Sequence, residues 1–161
     1  MSTPAIRLLA QRGITFSLHT YEHDPRETSF GTEAAQKLDV DAAHVFKTII
    51  FLLDGRHPVA AIVPVTGTVD TKALARALAV KRVDDCPVAT AERLTGYVAG
   101  GISPFGHKTT SRTVLDDSAL GCALIYVSGG RRGLEIQLSP VDLIDVTGAL
   151  TAPIAHSNAR A

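Results

Sequence analysis

The chain alternates short apolar runs with turn residues, and the spacing of the apolar positions separates helices from strands. Thr3, Pro4 and Gly13 form a cap, a first-turn proline and a stop, and Ala5, Leu8 and Leu9 between them share one helical face. The alternation in "TFSLHTY" predicts a strand. "FGTEAAQKLDV" predicts a short helix with Thr32 as its cap. "VFKTIIFLLDG" and "PVAAIVPV" read as two strands joined through Asp54-Gly55, a hairpin signal. Asp70 caps a helix whose Ala73, Leu74, Ala77 and Leu78 face inward while Lys72 and Arg76 face water. "KRVDDC" predicts a short strand and "VATAERL" a short helix. "RTVLDD", "ALIYVSGG" and "GLEIQL" predict three further strands, with Gly129-Gly130 as a candidate hairpin turn. Ser139-Pro140-Val141-Asp142 joins a cap, a first-turn proline and a first-turn acid, which predicts a helix over 140–147. The closing "TAPIAHSNARA" is small and polar and is expected to fray.

Strands in pairs, helices between them and no strict βαβ alternation predict an α/β protein of the α+β kind. The expected architecture is a mixed, largely antiparallel sheet or barrel with packed helices. The expected organisation is one domain over residues 1–148 and a tail over 149–161. Apolar residues are 45% of the chain, enough for a sizeable core and too many for disorder. Formal net charge is zero, so any basic surface for nucleic acid must be local. Two cysteines without a C-x-x-C exclude a disulfide scaffold and a zinc ribbon. The start reads as a capped helix and not a signal peptide, and no apolar run is long enough to span a bilayer. A cytoplasmic protein with no membrane partner is expected.

One stretch, "YVAGGISPFGHKT", invites two catalytic readings and fails both. As a phosphate loop it has Gly101 and Gly106 at the right separation, but His107 stands where lysine is required and Pro104 removes an amide. As a nucleophile elbow it begins Gly101-Ile102-Ser103 but has Phe105 in place of the last glycine. The six histidines are scattered, with His19 and His23 four apart and no H-E-x-x-H, so no metal is expected. Cys86 and Cys122 read as small, partly buried residues. Lys47 has two open readings. It shares a strand face with Val45, Ile49, Phe51 and Leu53, where a lysine is costly to bury without an anion. It is either a snorkelling side chain or a clamp for a phosphate or ester carbonyl at a pocket wall. Arg131 and Arg132 are either solvated or phosphate contacts.

The ordered set "TPAIRLL", "HTYEHDP", "FGTEAA", "VFKTIIF", "TGYVAGGISPFG" and "IYVSGGRRGLEIQLSP" resembles the YbaK/EbsC family. The resemblance covers roughly residues 3–147. Its best-known members are free-standing Cys-tRNA(Pro) deacylases, and the same fold serves as the editing domain of bacterial prolyl-tRNA synthetases. The resemblance implies a G-x-x-x-P loop from Gly100 to Pro104 that lines the pocket for the aminoacyl end of tRNA. It implies catalytic roles for Lys47, Gly101 and Ser103, the loop acting through its backbone. It implies substrate contacts from Tyr21, Phe30, Thr48, Gly100, Ile102, Pro104, Ser128 and Glu135. Relatives often carry Asp where Glu135 stands, and Gln and Lys where His107 and Thr109 stand. The implied chemistry uses the substrate's own cysteine thiol and no cofactor. The implied partners are aminoacyl-tRNA and prolyl-tRNA synthetase. Two other functions stay open: a deacylase of another mischarged tRNA such as Ala-tRNA(Pro), and a non-catalytic module that binds tRNA or a synthetase.

Overall fold

The computed structural model describes residues 2–157. Thr3 opens α1 (Pro4–Gln11) by accepting from the Ile6 amide, and Gly13 leaves the helix at φ 67°. β1 (Ser17–Thr20) follows, then α2 (Phe30–Leu38). The hairpin of β2 (Phe46–Leu53) and β3 (His57–Pro64) turns through Asp54 and Gly55, both at positive φ as a primed turn requires. β4 (Gly67–Val69) leads to α3 (Thr71–Ala77), where the Asp70 carboxylate accepts from the Lys72 and Ala73 amides. β5 (Asp84–Asp85), α4 (Val88–Thr95) and β6 (Arg112–Asp116) come next. The last elements are β7 (Ile125–Arg131), β8 (Leu134–Leu138), α5 (Pro140–Thr147), β9 (Leu150–Ala152) and β10 (Ala155–Ser157).

Among the described residues the strands form three sheets, in the orders β5-β2-β3-β6-β9, β1-β8-β7 and β10-β4. Most pairings are antiparallel, and β3·β6 and β6·β9 are parallel. A bridge between Val45 and Tyr126 joins the five-stranded and three-stranded sheets at the start of β2. The expected mixed, largely antiparallel architecture with packed helices is what the chain adopts. The main core fills the space under the three-stranded sheet, with Leu9, Phe46, Phe105, Leu115, Ile125, Ile136 and Leu143 fully or almost fully buried. A second core under α3 gathers Val59, Val63, Leu74, Val114 and Ile154.

Three local expectations are corrected. α2 starts at Phe30, so Thr32 lies inside its first turn and is not the cap. Ser29 occupies the cap position without a side-chain hydrogen bond. Gly129 and Gly130 are not a hairpin turn but continue β7 through a bulge between Ser128 and Arg131. A Cβ on Gly130 would stand 2.9 Å from both Thr3 and Tyr97, so close packing against α1 is what this glycine serves. The turn comes two residues later, at Arg132-Gly133. Third, the C-terminal segment does not fray as far as Ser157: β9 pairs with β6 and β10 with β4. Residues 158–161 lie outside the described residues.

Asp116 explains the ordered C-terminal segment. Its buried carboxylate accepts from the Ile154 and Ala155 amides at 2.9 and 3.0 Å and from the Ser118 hydroxyl at 2.5 Å. Asp116→Ala should therefore lower stability by about 2–4 kcal/mol, because two amides lose their side-chain acceptor. Denaturant unfolding measures the loss, and hydrogen exchange should show faster exchange of the Ile154 and Ala155 amides.

Candidate functional site

A cavity of about 360 Å³ opens where the first turn of α2, the start of β2, the glycine loop and the β7–β8 pair meet. That volume lies within the range of small-molecule pockets and suits one end of a larger ligand. Phe30, Lys47, Thr48, Gly100, Ile102, Ser128 and Glu135 all line it. These seven come from five parts of the fold, and only the tertiary structure brings them together.

The floor follows from strand alternation. In β8, Leu134, Ile136 and Leu138 point into the core, and Glu135 and Gln137 take the other face. Register places Ser128 opposite Glu135 and Tyr126 opposite Gln137. Near this face the Phe30 ring forms a wall. Gly100 comes so close that a Cβ there would stand 2.6 Å from the ring, and its φ of 82° suits glycine. The Arg132 guanidinium sits 4.5 Å from the ring centroid, and its Nε donates to the Ala99 carbonyl at 2.8 Å. Arg132 thus ties the β7–β8 turn to the glycine loop and is not merely solvated, as sequence alone left open.

Charge in the cavity is unevenly distributed. Lys47 is half-buried, and burial lowers its pKa from the ordinary lysine value. Its ammonium has no ion pair or hydrogen bond among the described residues. Beside it the α2 first turn exposes uncapped amides, since its first backbone bond runs from the Glu33 amide to Ser29 O. Thr48 is buried, and its Oγ1 has no hydrogen-bond partner. This part of the cavity is built for an anion or a polarised oxygen. Glu135 is the opposite case: the residue is only 6% exposed, and burial pushes the pKa of its carboxyl up to about 8. It makes no ion pair with Lys47.

Four expected site residues stand outside the cavity lining. Tyr21 packs behind the wall with Ala34, Ala35, Val45 and Val65. Burial, and then the charge of Glu135, push its phenol up to about 12. Gly101 donates its amide to Val98 O at 2.8 Å, and a Cβ there would meet the Arg131 backbone at 2.7 Å. Its amide is therefore engaged within the turn. Ser103 is fully buried and its Oγ accepts from the Phe105 amide, so it shapes the loop. Pro104 lines a smaller cavity on the far side, near His107. His107 Nε2 donates to Ser103 O at 2.6 Å, and its Nδ1 accepts from Ser111 Oγ at 2.8 Å. Tyr97 adds a bond from its hydroxyl to Phe105 O at 2.6 Å.

Sequence reasoning missed the framework that holds the α2 turn. The Glu33 carboxylate is buried yet accepts from His23 Nδ1 at 2.6 Å, the Asp24 amide at 2.8 Å and Lys37 Nζ at 3.1 Å. Burial pushes its pKa up, but these donors outweigh it and hold the carboxyl below the usual range. Stability from Glu33 is thus present above the unfolded pKa and lost as pH falls through the folded one. The available signal was Glu33 at a position one turn before Lys37 on an apolar helix face. No three His, Cys, Asp or Glu side chains are grouped to hold a metal among the described residues. No helix among them is long and apolar enough to cross a membrane.

The scaffold thus walls a cavity with a glycine loop and presents a lysine that has no partner among the described residues, and its class is that of the aminoacyl-tRNA editing domains. The sequence pattern of that family, the aminoacyl-tRNA editing domain, matches residues 23–146, and the chain belongs to it. The chain is 32% identical over 153 residues to EbsC of Enterococcus faecalis, a protein named for Cys-tRNA(Pro)/Cys-tRNA(Cys) deacylation. That match covers 94% of this chain and 92% of the relative. Among solved structures, the hypothetical protein APE2540 is 27% identical with a TM-score of 0.84, covering 96% of this chain and 100% of that one. A structure described as a trans-editing enzyme for prolyl tRNA synthetase is 23% identical with a TM-score of 0.83, covering 98% and 99%. It shares the fold.

Proposed function

We propose that this protein is a trans-acting editing enzyme that hydrolyses the aminoacyl ester of mischarged Cys-tRNA(Pro). The observation that carries this reading is the unpaired Lys47 beside the open α2 amides and the unpartnered Thr48 hydroxyl, in a cavity sized for an aminoacyl end. Family membership and the likeness to EbsC support the ester as target and cysteine as the amino acid. Prolyl-tRNA synthetase, the partner that the family resemblance implies, would supply tRNA selectivity; the chain's net charge is zero, so any basic footprint for tRNA is local.

An aminoacyl ester is already activated, so positioning is most of the task. In the proposed reaction the substrate's thiol sulfur bonds to the ester carbonyl carbon. The bond from that carbon to the 3′-oxygen breaks, and the thiol proton ends on the 3′-hydroxyl. The product, a cysteine thiolactone, then takes up water to give free cysteine. A thiol of pKa ~8.5 supplies some thiolate at neutral pH. Holding it against the carbonyl is worth up to ~7–11 kcal/mol in well-oriented cases. Lys47 and the α2 amides stabilise negative charge on the ester or the adjoining phosphate. Gly101's own amide is bonded to Val98 O, so it is not free to serve a developing oxyanion.

Selectivity then comes from chemistry. A pocket that accepts cysteine excludes the smaller alanine by only about 1–3 kcal/mol. A reaction that requires the thiol rejects alanine even when it binds. S-methylcysteinyl-tRNA(Pro) keeps the ester and most of the shape but has no nucleophile. Its hydrolysis should be at least ~100-fold slower than that of Cys-tRNA(Pro). Equal rates would assign the attack to water.

A further inference from the structure

Among the described residues, Glu135 is the one titratable cavity group that the proposed chemistry leaves unused. It occupies the polar face of β8, where side chains usually meet water, yet it is buried beneath the cavity. Its carboxyl has no hydrogen bond or ion pair among the described residues. The titratable groups around it come from several elements. Tyr21 follows β1 and responds to its charge, His19 of β1 is its cross-strand partner, and Lys47 of β2 lines the same cavity. None of them neutralises it: His19 Nε2 bonds to Ser17 and Gln137, and Tyr21 is a neutral phenol at working pH. The neighbouring Ser128 hydroxyl accepts from the Gly130 amide.

A buried, partnerless acid is costly, and a ligand that brings a cation removes the cost. We infer that Glu135 receives the α-ammonium group of the substrate, so that the cavity reads an amino acid by its free amine as well as by its ester. This inference rests on the proposed ester substrate and deepens it. The cavity is then dipolar. The Lys47 and α2 part takes the ester and phosphate oxygens, and the Glu135 part takes the ammonium. An aminoacyl-tRNA whose amine is blocked, as in N-acylated species, binds more weakly and is deacylated more slowly. At neutral pH the empty site holds Glu135 protonated, and pairing with an ammonium expels that proton.

The test uses two non-hydrolysable ligands, 3′-cysteinylamino-3′-deoxyadenosine and its N-acetyl derivative, with wild type and Glu135→Gln. Calorimetry at pH 6.5 in two buffers of different ionisation enthalpy gives affinity and proton release together. Wild type should bind the free amine at least ~10-fold more tightly and release close to one proton, and Glu135→Gln should abolish both differences. Deacylation of Cys-tRNA(Pro) and N-acetyl-Cys-tRNA(Pro) completes the test: Glu135→Gln should slow the first and leave the second unchanged. Equal affinities for the two ligands in wild type overturn the inference. So does an equal loss on both substrates, which would make Glu135 a proton donor to the ester. Amine-dependent binding without any deacylation would sink the proposed activity and keep this inference. Deacylation with amine-independent binding would do the reverse, and binding of neither ligand would sink both.

Discussion

Replacing Lys47 by alanine is expected to lower deacylation of Cys-tRNA(Pro) by about 10²–10³-fold while the protein stays at least as stable as wild type. The loss follows from removing the one side-chain cation that lines the cavity among the described residues, a contribution of the size measured for single oxyanion-stabilising groups. The stability follows from the opposite argument. The Lys47 ammonium is half-buried and unpaired, so folding disfavours its charged form, as its lowered pKa records. The sign is definite: the folded state binds this proton less well than the unfolded state. Its charge therefore opposes folding at neutral pH and ceases to do so as pH rises through the lysine range. Lys47→Ala should abolish that alkaline gain. Activity and thermal melts on one preparation measure both effects. A variant that deacylates at the wild-type rate removes Lys47 from the mechanism.

Gly100→Ala should be the next most damaging change. The new methyl would stand 2.6 Å from the Phe30 ring, on a residue at φ 82°. The backbone strain alone costs on the order of 1–2 kcal/mol. The ring has little room to retreat, with Arg132 4.5 Å and His23 5.7 Å from its centroid. We expect kcat/KM to fall by about 10–100-fold as the cavity wall shifts, with a melting temperature lower by a few degrees. A Phe30→Ala background separates the causes. If contact with the ring is what matters, the activity cost of Gly100→Ala shrinks sharply there, and an unchanged cost points to the backbone alone.

These predictions depend on residues whose legibility differed. Helix starts and tight turns were readable wherever chemistry is local: Thr3-Pro4, Asp54-Gly55, Asp70 and Ser139-Pro140 all act as their sequence signals indicate. The start of α2 was misjudged because Thr32 is a good cap by type, whereas the actual first turn leaves its amides open toward the cavity. That choice is stabilised from outside, by the Glu33 carboxylate gripping His23 and Asp24. The C-terminal strands were missed because their anchor, Asp116, lies 38 residues away from Ile154. Nothing in "TAPIAHS" announces an acceptor so distant.

The site divides along the same line. The family resemblance pointed to Phe30, Lys47, Thr48, Gly100, Ile102, Ser128 and Glu135, and the fold gathers these at one cavity. Within the glycine loop it could not separate residues that face the cavity from those that shape the turn. Gly100 and Ile102 face it, while Gly101 packs on the Arg131 backbone and Ser103 is buried against the Phe105 amide. Alternation alone would have marked Glu135 as solvent-facing. It is buried in the fold, between β1 and β7 and at a cavity it shares with Phe30 and Gly100.

The central claim is that the substrate's own thiol performs the attack in this cavity. Release of amino acid from Cys-tRNA(Pro) and Ala-tRNA(Pro), measured side by side with the wild-type protein, tests it most directly. The account predicts rapid loss of cysteine and retention of alanine. Alanine released as fast as cysteine would contradict it.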